Sequence, residues 1–231
     1  MTDSNQSPEA KRLVILVSGG GSNLQSLIDG CASGEINATV SAVISNNPDA
    51  GGLERAANAG IPNLAIDHTA FDSREAFDQA LSELIDSFSP DLVILAGFMR
   101  IPTAQFVDHY LERMMNIHPS LLPAYPGLHT HRRAIEAGDK MAGATVHFVT
   151  PELDGGPSII QAQVEIEPDE NEGSLATRVL SFEHKIYPQA VKWFCDNRLV
   201  MHNNHVLLDK KAISESGIIY NLIEPSNQDE V

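Results

Sequence analysis

The sequence is short of cysteine, of basic residues and of long apolar runs, and each shortage removes a class of protein. Two cysteines, Cys31 and Cys195, stand among 231 residues. That is too few for a disulfide framework and fits a reducing compartment, so the expected location is cytoplasmic. Both sit among core-like residues and read as buried thiols. Fifteen Lys and Arg face thirty-one Asp and Glu, a net charge of −16. Such a field repels phosphate backbones, so no nucleic-acid partner is expected, although a local site can still attract a small anion. No apolar run approaches the ~20 residues that span a bilayer, so no membrane partner is expected either. The opening "MTDSNQSPEAKR" has no signal-peptide core and reads as a disordered lead-in over residues 1–10. With 42% hydrophobic and 20% charged residues, the chain has the profile of a soluble globular protein long enough to bury a real core.

What is present is rhythm. "LVILV" (residues 13–17) is a continuous apolar run, as in a strand buried on both faces. "SGGGSN" then turns the chain. A helix follows, with Leu24, Leu27, Ile28 and Cys31 at i, i+3, i+4 and i+7. "TVSAVISN" is a second strand, "AGGLERAANAG" a second helix stopped by Gly60, and "NLAI" a third strand. "DSREAFDQALSELIDSF" is the clearest helix, with Phe77, Leu81, Leu84, Ile85 and Phe88 in one stripe. Asp72 and Glu75 there resemble a capping box. "DLVILAG" is a fourth strand. Four alternations of strand and helix predict an α/β fold, a Rossmann-like, mostly parallel sheet with flanking helices.

After Gly97 the rhythm changes. "IPTAQFVDHY" predicts a short helix from near Pro102, "MMNIH" a fifth strand and "HRRAIEAG" a short helix. "GATVHFV" and "SIIQAQVEI" alternate apolar and polar residues, which predicts an antiparallel C-terminal part, a pair joined by "TPELDGGP". Residues 175–194 predict a helix with Leu175, Val179, Phe182 and Ile186 on one face, kinked or broken by Pro188. "RLVMHNNHVLLD" predicts a hairpin around Asn203-Asn204, and the acidic last residues a frayed tail.

Three stretches carry chemistry. "SGGGSN" lies between a buried strand and a helix, where glycine admits a close ligand and a helix N-terminus offers unpaired N–H groups. It is neither Gly-x-Gly-x-x-Gly nor a Walker loop, so it suits a monophosphate; a plain strand-to-helix turn is the alternative. In "NIHPSLLPAYPGLHTH" (residues 116–131), Asn116 and His118 stand two apart at a strand's carboxyl end and so face one spot. An amide N–H and an imidazole can together stabilise a developing oxyanion and move a proton. Pro119, Pro123 and Pro126 stiffen the loop beyond this pair. "ELDGGP" contributes Asp154, either a turn former or a partner that holds the imidazolium form of His118.

Together with "SNNPDAGGLERA", "AGFMRI", "TVHFVTPELDGGPSIIQA" and "EHKIYP", in this order, these stretches resemble the phosphoribosylglycinamide formyltransferase family of purine synthesis. The resemblance runs over residues 11–205. It implies the formyltransferase fold as one domain over residues 11–209. The nucleotide-binding half would span about 11–110 and the folate and catalytic half about 111–209, with a C-terminal tail at 210–231. It implies transfer of the formyl group of 10-formyltetrahydrofolate, a co-substrate, to the amine of glycinamide ribonucleotide in de novo purine (IMP) biosynthesis. The route is direct amine attack through a tetrahedral intermediate, with no metal.

By the same resemblance Asn116, His118 and Asp154 are the catalytic trio. Gly21, Ser22 and Asn23 hold the ribonucleotide phosphate. Glu183 contacts the ribose; read without the resemblance, it is a helix-surface acid. Arg74, Leu95, Met99, Arg100, Ile101, Pro102, Phe106, Val107, Val149 and Thr150 join Asn116 and Asp154 around the folate. The chain is expected to act on small molecules as a monomer or homodimer. Methionyl-tRNA formyltransferase and formyltetrahydrofolate hydrolase share the Asn-x-His and Asp-Gly-Gly elements. They are disfavoured by the charge and by the few residues expected beyond the domain. A zinc site from His118, His129, His131 and His147 is a remote alternative, because the spacing fits no common site.

Overall fold

The computed structural model describes residues 9–220. In chain order its elements are β1 (Lys11–Val17), α1 (Ser22–Ala32), β2 (Ala38–Ser45), α2 (Gly51–Asn58), β3 (Asn63–Ala65), α3 (Arg74–Asp86), β4 (Leu92–Leu95), α4 (Ala104–His109), β5 (Met114–His118), α5 (Thr130–Ala137), β6 (Met141–Phe148), β7 (Ser158–Glu165), α6 (Glu172–Cys195), β8 (Leu199–His202), β9 (His205–Leu208), β10 (Lys211–Ala212) and β11 (Ile218–Tyr220). Eight strands form one sheet in the order β11-β7-β6-β5-β4-β1-β2-β3, and β8, β9 and β10 form a small second sheet. The strands from β3 across to β5 pair in parallel, and β6 runs antiparallel to both β5 and β7. The expected α/β fold with an antiparallel C-terminal part is the one observed.

The apolar run at 13–17 explains the layering. All five side chains have no exposure. Leu13, Ile15 and Val17 join the cluster formed with α1 and α6, whereas Val14 and Leu16 join the cluster formed with α3 and α4. A strand covered on both faces has no polar positions to offer, which is why it reads as a continuous run. From β1 the chain builds β2 and β3 to one side and β4 and β5 to the other. The loops leaving β1 and β4 therefore diverge and open a crevice at the carboxyl ends of the strands. Tyr187 of α6 fixes the helix beneath this end, its hydroxyl 3.0 Å from the Leu95 carbonyl oxygen and 3.1 Å from that of Met115.

Several expectations need correction. The α3 cap is Ser73, whose hydroxyl accepts from the Ala76 N–H at 3.1 Å. Glu75 then falls at the second helical position, too early to close a capping box with Asp72. The short helix expected from near Pro102 does form, from Ala104, because the Thr103 hydroxyl accepts from Phe106 N–H and caps it. α6 runs unbroken through Pro188, where Tyr187, Pro188, Ala190 and Val191 are all buried; packing outweighs the missing N–H. Cys195 is buried but Cys31 only half-buried; both are free, and burial pushes their thiols up to about 12 and about 11. Residues 211–212 and 218–220, expected within the C-terminal tail, are strands: β10 pairs with β9, and β11 pairs with β7 at the sheet edge. Residues 1–8 of the lead-in and residues 221–231 lie outside the described residues. The hairpin at Asn203-Asn204 forms as expected, both residues at positive φ. No helix among the described residues is long and apolar enough to cross a membrane.

Candidate active site

The glycine loop enters α1 through Gly21, which has φ 71 and no side chain to cap the helix, and the first turn of α1 carries no acid. The first N–H groups of the helix thus have no side-chain competitor. A Cβ on Gly21 would lie 2.9 Å from the Gly52 Cα, because the start of α2 packs against the loop. Arg55 of α2 reaches across it, its Nε donating to the Gly20 carbonyl at 2.6 Å. The stretch "EHKIYP" arrives from α6 on the other side: Asn23 Nδ2 donates to Glu183 Oε2 at 2.6 Å, both residues buried. Glu183 is therefore not a helix-surface acid, because its face of α6 packs against α1. One amide N–H of Asn23 is committed to it, while Asn23 Oδ1 is buried without a partner among the described residues. Burial raises the Glu183 carboxyl above its usual range, against the lowering effect of the Asn23 hydrogen bond.

At the other end of the crevice, β5 delivers Asn116 and the buried His118. His118 Nδ1 lies 3.5 Å from Asp154 Oδ2, and its Nε2–H donates to the Tyr125 carbonyl at 2.9 Å. Both ring nitrogens face oxygen acceptors, a setting the doubly protonated ring satisfies. Asp154 Oδ2 also accepts from the Gly127 N–H at 2.8 Å, which ties the proline-rich loop to the 149–157 turn. Asp154 and Tyr125 both adopt left-handed backbone, φ 50 and 56. Asp tolerates this and Tyr does not readily, so the Tyr125 conformation is held by its surroundings. Its hydroxyl donates to Asp139 at 2.6 Å, and the Arg133 guanidinium lies over its ring. Gly156 is required where it stands, because a Cβ there would collide with the Phe148 carbonyl oxygen.

The antiparallel pair β6–β7 forms as expected, and its alternating polar side chains are exposed only toward the end of β7, at Gln163 and Glu165. Thr145, His147 and Gln161 are buried. Thr145 Oγ1 accepts from the Leu122 N–H at 3.0 Å and donates to the Ser120 carbonyl at 2.7 Å, and Gln161 Nε2 donates to the Leu122 carbonyl at 2.7 Å. These side chains are hooks for the proline-rich loop, which covers the face that would otherwise meet water. His147 donates from Nδ1 to the Phe148 carbonyl at 2.9 Å, and its Nε2 lies 3.3 Å from Asn116 Nδ2. Burial pushes the His147 pKa down to about 4, so the ring is neutral and its 3.9 Å approach to Asp154 is not an ion pair. None of these contacts was anticipated.

The residues expected around a folate divide by environment. Leu95, Phe106, Val107 and Val149 belong to one buried apolar cluster. Met99 and Ile101 stand 70% and 55% exposed beside them, an apolar surface open to a flat ligand. The segment carrying them is pinned: Met99 N–H donates to Ser18 Oγ at 2.7 Å, and Thr103 N–H to the buried Asp78 at 2.6 Å. Arg100 lies over the Phe77 ring, 4.8 Å from its centroid. Pro102 and Thr150 are half-buried, and Arg74 stands exposed at the first residue of α3. The structure brings Asn116, His118 and Asp154 together and joins Glu183 to Asn23. Ser18, Arg55, Asp78, Tyr125, Thr145 and Gln161 were missed, and His147, considered only as a zinc ligand, instead meets Asn116. Among the described residues no group of three or more His, Cys, Asp or Glu is arranged to hold a metal ion.

Comparison with known proteins shows the family. The family model described as formyl transferase matches residues 11–191. The phosphoribosylglycinamide formyltransferase of Escherichia coli K12 is 54% identical over 205 residues, which is 89% of this chain and 97% of that protein. The Drosophila melanogaster trifunctional purine biosynthetic protein adenosine-3 is 48% identical over 192 residues, 82% of this chain and 14% of that much longer one. Among solved structures, the phosphoribosylglycinamide formyltransferase of Coxiella burnetii superposes with a TM-score of 0.88 at 47% identity, covering 92% of this chain and all of that one.

Proposed function

The chain belongs to the formyl transferase family, and from that premise we propose that it transfers the formyl group of 10-formyltetrahydrofolate to the amine of glycinamide ribonucleotide. The observation that carries this reading is the order β5-β4-β1 at the crevice. An anion loop ends β1, an oxyanion pair ends β5, and the apolar segment 96–102 leaves β4 between them.

The ribonucleotide phosphate meets the backbone N–H groups of Gly21, Ser22 and Asn23, with Arg55 adding positive charge in an acidic protein. The ribose hydroxyls meet Glu183 and the Oδ1 of Asn23, which is unpartnered among the described residues. The folate ring lies on Met99, Arg100, Ile101 and Pro102 over Leu95, Phe106, Val107 and Val149, flanked by Arg74 and Thr150. The first half of the domain, about 11–110, thus supplies the phosphate loop and most of the folate surface, and the second, about 111–209, supplies the catalytic trio and Glu183.

The amine adds to the formyl carbon, and the carbonyl electron pair moves onto oxygen. Asn116 N–H and protonated His118 stabilise that oxyanion, with Asp154 holding the imidazolium. To reach it, the His118 Nε2–H exchanges the Tyr125 carbonyl for the substrate oxygen. The proton lost by the new amine travels to N10 as the bond from N10 to carbon breaks. The residues work by positioning and charge, with no covalent enzyme intermediate. The test is formyl transfer followed by absorbance with and without glycinamide ribonucleotide. Turnover that requires the ribonucleotide supports the transferase; folate breakdown without it indicates water as nucleophile and overturns the reading.

A further inference from the structure

We infer that His147 is a positioning residue that fixes which face of the Asn116 amide meets the developing oxyanion, an inference that rests on the reading of Asn116 as an oxyanion donor. A carboxamide can be turned over with little change in shape, and one orientation donates where the other accepts. Only the donor orientation stabilises a negative oxygen. The choice is made by Asn116's neighbour.

The Phe148 carbonyl oxygen lies 2.9 Å from His147 Nδ1, so that nitrogen carries the proton. Two lone pairs cannot face each other at that distance. Nε2 therefore holds a lone pair, and it faces Asn116 Nδ2 at 3.3 Å. Turning the amide over would set Oδ1 against that lone pair. The nitrogen consequently stays on the inner side, with one N–H committed to His147 and the other left for the substrate oxygen. His147 is 2% exposed, and burial keeps it neutral down to about pH 4, so the acceptor persists across the working range.

The neutral ring has a second consequence. Asp154 Oδ1 lies 3.9 Å from His147 Nε2, and Asp154 Oδ2 lies 3.5 Å from His118 Nδ1. A protonated His147 would compete with His118 for the one carboxylate. A proton held on Nδ1 by the Phe148 backbone leaves Asp154 to His118. One main-chain carbonyl, through one buried ring, thus sets the polarity of the Asn116 amide and the partner of Asp154.

The test is a double-mutant cycle on ribonucleotide-dependent formyl transfer with N116A, H147L, H147Q and the double variant N116A/H147L. H147L should lower kcat by roughly 10²-fold, as small misplacements of reacting groups do. The KM for the ribonucleotide and the shape of the kcat–pH profile should hardly move. H147Q, which keeps an acceptor for the amide, should recover much of the loss, and it carries the test if H147L does not fold. In the N116A background H147L should have no further effect, because leucine cannot compete for Asp154 and the route it removes is the one through Asn116. Multiplying effects, or near-normal kcat in H147L while N116A is impaired, overturns the inference alone. Normal kcat in N116A overturns the oxyanion reading and this inference with it.

Discussion

The two ends of the crevice are built by different means. At the β1 end the groups offered to a ligand are main-chain N–H donors, exposed because Gly21 has no side chain and the first turn of α1 no acid. At the β5 end they are side chains, and each is aimed by a second group: Asn116 by His147, His118 by Asp154 and Tyr125, Asp154 by Gly127. A backbone cradle recognises a charge that is present throughout the reaction, so it contributes chiefly to binding. Aimed side chains can match a charge that exists only in the transition state, so they contribute chiefly to rate. Damage at the two ends should therefore appear in different kinetic constants.

Among changes to the groups that support the two ends, the largest effect should come from Asp154→Ala. It removes the partner of His118 and leaves the Gly127 N–H unpaired, and kcat should fall by roughly 10²-fold or more with little change in ribonucleotide KM. Steady-state kinetics in which KM takes most of the loss would erase the distinction between the ends. Gly21→Ala should do the reverse. It places a Cβ at φ 71 and 2.9 Å from the Gly52 Cα. We expect a large rise in ribonucleotide KM, about 1–2 kcal/mol of backbone strain, and a kcat at saturation close to normal. Thr145→Val keeps the shape of the hook but strands the Leu122 N–H, at a cost of about 1–3 kcal/mol seen in denaturant unfolding. Its modest fall in kcat would mark the hooks as support for the rate end.

The smallest effect concerns pH. His147 titrates near 6.5 when unfolded and at about 4 when folded, its pKa depressed chiefly by burial. Its contribution to stability is complete above pH 6.5 and declines as pH falls toward 4, because the unfolded chain takes up the proton first. The melting temperature of H147Q should fall less steeply over that window than that of the wild type. Parallel slopes would show that His147 is not held neutral.

These differences also decide what could be read in advance. The glycine loop was legible because main-chain recognition leaves glycine and a strand-to-helix turn in one short stretch. Asn116 and His118 were legible because they lie two apart on one strand, with prolines after them. The parallel half of the sheet was legible from runs such as residues 13–17. Residues that meet only across the fold were not. Thr145, His147 and Gln161 alternate with apolar neighbours, and that period is the same whether the polar face meets water or a covering loop. The loop that covers them comes from residues 119–128, and nothing local announces it. β11 is three residues long and pairs with β7 far back in the chain, so it passed for tail. By local signs Asp154 was either a turn residue or a partner of His118, because a separation of 36 residues neither requires nor forbids contact; only the family resemblance chose between them.

The most direct test of the division between a binding end and a rate end is His118→Ala, assayed at saturating ribonucleotide and folate alongside the ribonucleotide Kd from calorimetry. The account predicts a kcat lowered by roughly 10²–10³-fold with Kd near the wild-type value. A variant that turns over at nearly the normal rate, or that loses activity only because it no longer binds the ribonucleotide, would contradict it.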